Sequence, residues 1–139
     1  MSDSNCLSDH ILLTGLTGLV GSSVVVALAR ERRDISFVCL VRGSGGVSAA
    51  QRAQEVIRSE CAFEGCPEAC EDVLSRVTVV EGDVTSIDVE KLSADPLLKG
   101  VRKIFHCAAD VNLGKDPTGR VYTVNYEGTQ RMVELAKRL

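Results

Sequence analysis

No part of the chain is basic enough to create a field for nucleic acid. Sixteen Lys and Arg face nineteen Asp and Glu, for a net charge of −3 at pH 7. The arginines are scattered rather than run together, so nucleic acid is not an expected partner. Long apolar runs are also missing. The longest, around Leu19 to Leu28, is interrupted by Gly21, Ser22 and Ser23 and is too short to span a bilayer. Met1 to Asp9 lack the basic start of a secretory signal, so a cytoplasmic location is expected. Neither CxxC pairs nor zinc-finger spacings occur among the six cysteines. Cys61, Cys66 and Cys70 follow C-x4-C-x3-C with no histidine near them, and free thiols in a reducing compartment are expected rather than a metal site. There is no internal repeat and no low-complexity segment.

What remains has the composition of one globular domain: 139 residues, 45% hydrophobic and 25% charged. Short β-rich runs alternate with helical patterns, the order expected of a parallel sheet wound with crossovers. Strands are predicted over His10–Thr14, Ile35–Val41, Arg76–Glu81 and Lys103–Cys107. The second is continuously apolar, as in a strand buried on both faces. Helices are predicted over Leu19–Arg33, with an apolar face through Val20, Val24 and Leu28, and over Ser48–Cys61, with Ser48 as N-cap. A weak helical pattern covers Thr85–Leu98, broken by Pro96, and a last helix runs from Thr118 to Leu139. The fold expected is α/β, a Rossmann-like doubly wound parallel sheet truncated after about four strands.

The strongest motif is Thr14-Gly15-Leu16-Thr17-Gly18-Leu19-Val20-Gly21, three glycines at G-x-x-G-x-x-G spacing between a strand and a helix. Gly15 permits the tight turn, Gly18 lets the backbone approach a pyrophosphate, and Gly21 allows the helix to pack on the sheet. The helix start supplies N–H donors and the positive end of the dipole, so Thr17, Leu19 and Val20 join the glycines as cofactor-binding candidates. At the end of the second strand, where an NAD enzyme would place an acid for the ribose hydroxyls, stands Arg42. A guanidinium fork suits a 2′-phosphate, so NADP is the cofactor expected, with Arg52 as a second clamp. A solvated strand-end charge is the rival account of Arg42. Asp34 precedes the strand and is poorly placed for the ribose. His106, in the fourth strand, is read as a packed core histidine.

The Thr-Gly-x-Thr-Gly-x-x-Gly turn resembles that of extended short-chain dehydrogenases/reductases. Val38-Cys39-Leu40-Val41-Arg42, Val80-Glu81-Gly82-Asp83-Val84, His106-Cys107-Ala108-Ala109-Asp110-Val111-Asn112 and Val124-Asn125-Tyr126-Glu127-Gly128-Thr129 are similar to blocks of the fatty acyl-CoA reductase and carrier-protein thioester reductase branch. The resemblance implies that Asp83 and Val84 lie against the adenine, although a loop-capping aspartate would look the same. It implies that Cys107, Ala108 and Ala109 leave room for the cofactor, that Val111 lines the nicotinamide side, and that Asn125 belongs to the catalytic apparatus.

It also implies a Tyr-x-x-x-Lys pair, which is not found: Tyr122 is followed four residues later by Tyr126, and Tyr126 by Gln130. The chain is therefore expected to be a partial NAD(P)-binding domain over residues 1–139. It would be the portion of a reductase of acyl thioesters that binds NADP(H), with no turnover of its own. The acyl thioester would be a partner only where the C-terminal part is present, and the last helix would contribute to a homodimer. Two alternatives share these features: a non-catalytic NADP(H) sensor, and a relative of sugar-nucleotide epimerases or dehydratases.

Overall fold

The computed structural model describes residues 9–139; the N-terminal segment read above for a signal lies largely outside them. Four parallel strands form one sheet: β1 His10–Thr14, β2 Ser36–Val41, β3 Val77–Glu81 and β4 Val101–His106. Their order is β3-β2-β1-β4. The chain thus moves outward from β1 to β3 and then returns to the other side of β1. The reversal places a crevice at the carboxyl ends of β1 and β4, where open α/β sheets bind ligands.

Both faces of the sheet are covered, which is why its two central strands carry almost no polar side chains. Ile11, Leu13, Phe37, Cys39 and Val41 point to one side. There they meet α1 (Leu19–Glu31), α2 (Ala49–Phe63) and α3 (Cys70–Ser75). Leu12, Val38 and Leu40 point to the other side, against α4 (Val89–Ser93) and α6 (Gly128–Arg138). Ser48 caps α2 by accepting a hydrogen bond from the Gln51 amide at 3.1 Å, as its position predicts.

Several elements differ from the sequence-based expectation. The core face of α1 runs through Gly21, Val25 and Ala29, with Ser22 and Val26 beside it; of the expected face, Val24 and Leu28 pack half-buried against this core and Val20 is 62% exposed. Periodicity counts only apolar size, whereas the rotation of this helix is set by the need to lay a glycine on the turn before it. The helix also ends two residues early, at Glu31, and the Arg76 guanidinium gathers the carbonyls at and just beyond its end. That guanidinium donates to the carbonyls of Ala29, Arg32 (2.9 Å) and Ile35 (3.3 Å), and pairs with Asp72 at 2.7 Å. Arg76 is thus a cap in front of β3 rather than its first residue.

The stretch after α2, for which no element is predicted, contains a 3₁₀ turn at Pro67–Ala69 and α3. These bury Cys66 and Cys70 beside Cys61 in the apolar core, and burial pushes the Cys61 thiol up to about 12. β4 begins and ends earlier than predicted, so Cys107 lies just past it, only half-buried. The last helix begins with a short turn, α5 (Arg120–Tyr122), and passes through a π turn at Thr123–Glu127 before α6.

Leu13, fully buried at the centre of the sheet, should lose about 2–5 kcal/mol of stability on replacement by Ala, and Val20→Ser should change it by less than about 0.5 kcal/mol. Urea unfolding of both variants checks these values, and Val20→Ser tests the assigned face of α1. The earlier assignment, with Val20 on the core face, requires Val20→Ser to be costly.

Candidate functional site

The glycine turn is shaped by backbone packed on backbone. Gly15 has φ of +80°, and a Cβ there would meet Cys107 C at 2.5 Å and Ala108 N at 2.6 Å. A Cβ on Gly21 would meet the Gly15 carbonyl oxygen at 2.1 Å. The end of β1, the start of α1 and the segment after β4 therefore close on one another with no side chain between. Gly18 has a different setting, with only the Gly15 oxygen, at 3.4 Å, near the place its Cβ would take. Its amide closes the turn by donating to that same oxygen at 3.0 Å. No side chain caps α1, and its first turn contains no acidic residue. The helix start keeps the donors and dipole sign that favour an anion.

A cleft of about 200 Å³ opens in front of this turn. Its walls are the carboxyl ends of the strands and the segments that follow them, Gly15–Gly18, Leu40–Arg42, Gly82–Val84 and Cys107–Ala109, closed on one side by Arg120 and Val124. Of the expected cofactor residues, Gly15, Thr17, Gly18, Arg42, Asp83, Val84, Cys107, Ala108 and Ala109 meet here. Gly21 lies behind the turn. Leu19, 83% exposed, and Val20 do not line the cleft, and neither does Val111, which is 82% exposed. Arg52 sits in a neighbouring groove with Thr17. It donates to the Arg42 carbonyl at 2.5 Å and makes a 3.5 Å contact to the Thr17 hydroxyl, tying the end of β2 to the turn.

Sequence reasoning did not single out Leu16, Leu40, Val41, Gly82, Arg120 or Val124. The first four flank motif residues and could have been taken from the rule that strand ends line the crevice. Val124 adjoins Asn125 in one of the resembling blocks, whereas Arg120 had no such signal, because it returns to the cleft only after a long excursion of the chain past β4.

Charge in the cleft is organised around Asp83. Burial raises its carboxyl, but the Thr85 amide (2.9 Å) and hydroxyl (2.8 Å) donate to it and Arg42 and Arg120 add positive charge, so its pKa falls below the usual carboxylate value. Arg42 stands 3.9 Å from Asp83 and Arg120 3.4 Å from Asp110. The carboxylate is thus a fixed acceptor at the mouth of the cleft, with guanidinium groups on either side.

Asn125 does not enter the cleft. It projects from the π turn, where its Oδ1 accepts from the Asp110 amide at 2.7 Å and its Nδ2 donates to the Asp110 carbonyl at 2.9 Å. Both ends of the amide are therefore spent on the backbone immediately after Ala109. His106 is half-buried with polar partners on both nitrogens, in place of the packed core setting expected. Nδ1 lies 2.6 Å from the Thr14 hydroxyl and Nε2 lies 3.1 Å from that of Thr129.

The NAD-binding family described as Male sterility protein matches residues 13–139. This chain belongs to that family. Among curated relatives, fatty acyl-CoA reductase 2 of Bos taurus is 30% identical over 132 residues, covering 93% of this chain and 25% of the relative. The chain thus spans about a quarter of the length of the relatives it matches. The terminal R domain of the myxalamid PKS-NRPS pathway superposes with a TM-score of 0.72 and 27% identity over 94% of this chain and 32% of that domain. An archaeal non-ribosomal peptide synthetase thiolation-reductase di-domain shares the fold, with a TM-score of 0.75 and 22% identity over 95% of this chain and 26% of its own. The resemblance carried by the five sequence blocks is thereby met.

A nicotinamide dinucleotide is the cofactor of such a domain, and the residues present fit one. The turn presents amides with no Cβ in front of them, and the cleft beyond it is flanked by cations. Among the described residues no group of three or more His, Cys, Asp or Glu side chains could hold a metal ion.

Burial holds the His106 imidazole below its ordinary value of 6.5, so the folded chain keeps the ring neutral where the unfolded chain begins to take up a proton. The stability this contributes is complete above about pH 6.5 and is lost as the pH falls through that value toward the folded one. Urea midpoints at pH 7.5 and 5.5 should show this fall in the wild type and a shallower one in His106→Gln; equal slopes would remove the assignment.

Proposed function

We propose that the chain is the NADP(H)-binding portion of a reductase of acyl thioesters. The observation that carries the cofactor choice is Arg42, at the carboxyl end of β2 and on the wall of the cleft, where a ribose-binding acid would otherwise stand. Its guanidinium is about half exposed and its nearest anion is Asp83 at 3.9 Å, a loose pairing that leaves donors for a 2′-phosphate. Arg52 supports this arrangement through the Arg42 carbonyl and acts from behind the clamp.

In this reading the turn amides not spent on the Gly18-to-Gly15 bond, with the start of α1, receive the diphosphate, and Gly21 earns its place by letting α1 start close enough for its dipole to act. The Asp83 carboxylate accepts from the adenine amine, with Val84 against the ring. Cys107, Ala108 and Ala109 keep side chains small where the dinucleotide crosses the sheet. Asn125 fixes the backbone that follows them. When bound, the dinucleotide supplies hydride to the acyl carbon.

The substrate class rests on relatives. The Bos taurus protein is named a fatty acyl-CoA reductase, and the myxalamid domain is the terminal R domain from a PKS-NRPS biosynthetic pathway. A cleft of about 200 Å³ is smaller than the ~300–1,000 Å³ typical of a complete small-molecule site. That suits a chain contributing one wall of a larger site and containing no Tyr-x-x-x-Lys pair. No turnover of an acyl thioester is therefore expected from these residues alone.

Titration of the chain with NADPH and NADH, followed by nucleotide fluorescence, tests the reading. NADPH should bind more tightly. Arg42→Ala should weaken NADPH by about tenfold to a hundredfold while leaving NADH within about twofold, the loss expected for a charged hydrogen bond. Equal affinities in the wild type, or equal losses in the variant, would reject NADP as the cofactor, and failure to bind either nucleotide would reject the site.

A further inference from the structure

The polar groups behind the Cys107–Ala109 wall of the cleft are all satisfied in one order only. Ala108 N–H donates to Thr14 Oγ1 at 3.2 Å, and Thr14 is fully buried. The single Thr14 hydroxyl proton then goes to His106 Nδ1 at 2.6 Å, which makes Nδ1 an acceptor and places the ring proton on Nε2. Nε2–H donates to Thr129 Oγ1 at 3.1 Å, and the Thr129 hydroxyl donates to the Asn125 carbonyl at 2.6 Å. Asn125 in turn holds both the amide and the carbonyl of Asp110. A proton on Nδ1 could still be accepted by Thr14 Oγ1, but the proton of that buried hydroxyl would then have no acceptor among the bonds described, and a Thr129 hydroxyl turned to meet a bare Nε2 would give up the Asn125 carbonyl.

We propose that His106, as the neutral Nε2–H tautomer, is a positioning residue that links the two anchors of the cleft wall formed by Cys107–Ala109. One anchor is Thr14, which holds Ala108 from β1. The other is Asn125, which holds Asp110 from the π turn. The ring does not line the cleft and needs no contact with nucleotide; it acts by fixing the distance between the strand that ends in the glycine turn and the helix that carries Asn125. The link to nucleotide affinity rests on the function proposed above, whereas the tautomer and the wiring do not.

Thr129 gives the cleanest test, because it is exposed and lies outside the cleft. Thr129→Val keeps its shape and removes the hydroxyl; Thr129→Ser keeps the hydroxyl. Nitrogen-15 NMR of the wild-type chain at pH 7.5 should show His106 protonated at Nε2 alone, and Thr129→Val should disturb that signature. NADPH affinity should fall by about fivefold to tenfold in Thr129→Val, the scale of one lost hydrogen bond. Thr129→Ser should recover it to within about twofold. A ring protonated at Nδ1 overturns the proposal whatever the binding data show. So does a wild type that binds NADPH together with a Thr129→Val variant that binds it equally well. A wild type with the Nε2–H signature but no affinity for NADPH rejects the cofactor reading and with it the claimed effect on affinity, while leaving the wiring supported.

Discussion

The fold and the cleft both depend on a contact that allows no side chain, the meeting of the Gly15 backbone with Gly21 on one side and with Cys107 and Ala108 on the other. Steric repulsion at these separations is steep, so the contact fixes where α1 begins, how it is rotated and how near the end of β4 can come. The rotation explains why α1 buries two small residues, Gly21 and Ser22, at its start and leaves Leu19 and Val20 in solvent. The crevice in front of the turn follows from the same constraint, since three stretches of backbone converge there with nothing projecting between them.

Around this contact the sheet supplies rigidity and the loops supply chemistry. Alternate residues of β1 and β2 enter two separate cores, one under α1 to α3 and one under α4 and α6. The strand ends are therefore held from both faces, and the segments that follow them inherit fixed starting points. Arg42 and Asp83 come from neighbouring strands, and Arg120 comes from a helix well downstream. Their proximity is a property of the sheet order β3-β2-β1-β4, in which the chain returns to β1 before placing its last strand.

Much of this was legible in the sequence where local pattern and steric demand agree. The four strands, the glycine turn and the Ser48 cap are cases in which a residue type has one dominant use. The motif positions Arg42, Asp83 and Cys107 to Ala109 fall at strand ends for the same reason. The phase of α1 was misread because hydrophobic periodicity favours valine over glycine, while the turn requires the reverse. The Arg76 cap was missed because it depends on long-range partners, the Ala29 and Arg32 carbonyls, and α3 because its buried residues, Cys70 and Val73, pack on distant helices that no local window contains. Arg120 and Val124 reach the cleft across a long separation in sequence. The setting of His106 was misjudged because a histidine within an apolar strand gives no hint of the two threonines, Thr14 and Thr129, that flank it in space.

The π turn at Thr123–Glu127 separates two tasks that a regular helix would bind together. In an unbroken α-helix the direction of Asn125 would be dictated by the phase that sends Met132 and Leu135 into the core. One widened turn offsets the upstream half by roughly a residue, about 100° of rotation, so the amide can be aimed at Asp110 while the downstream half keeps its grip on the sheet. Loss of a single residue within that turn would therefore swing Asn125 off its target yet leave the hydrophobic pattern of α6 intact. Such a lesion would reach the core only through Val124, the buried residue of that turn.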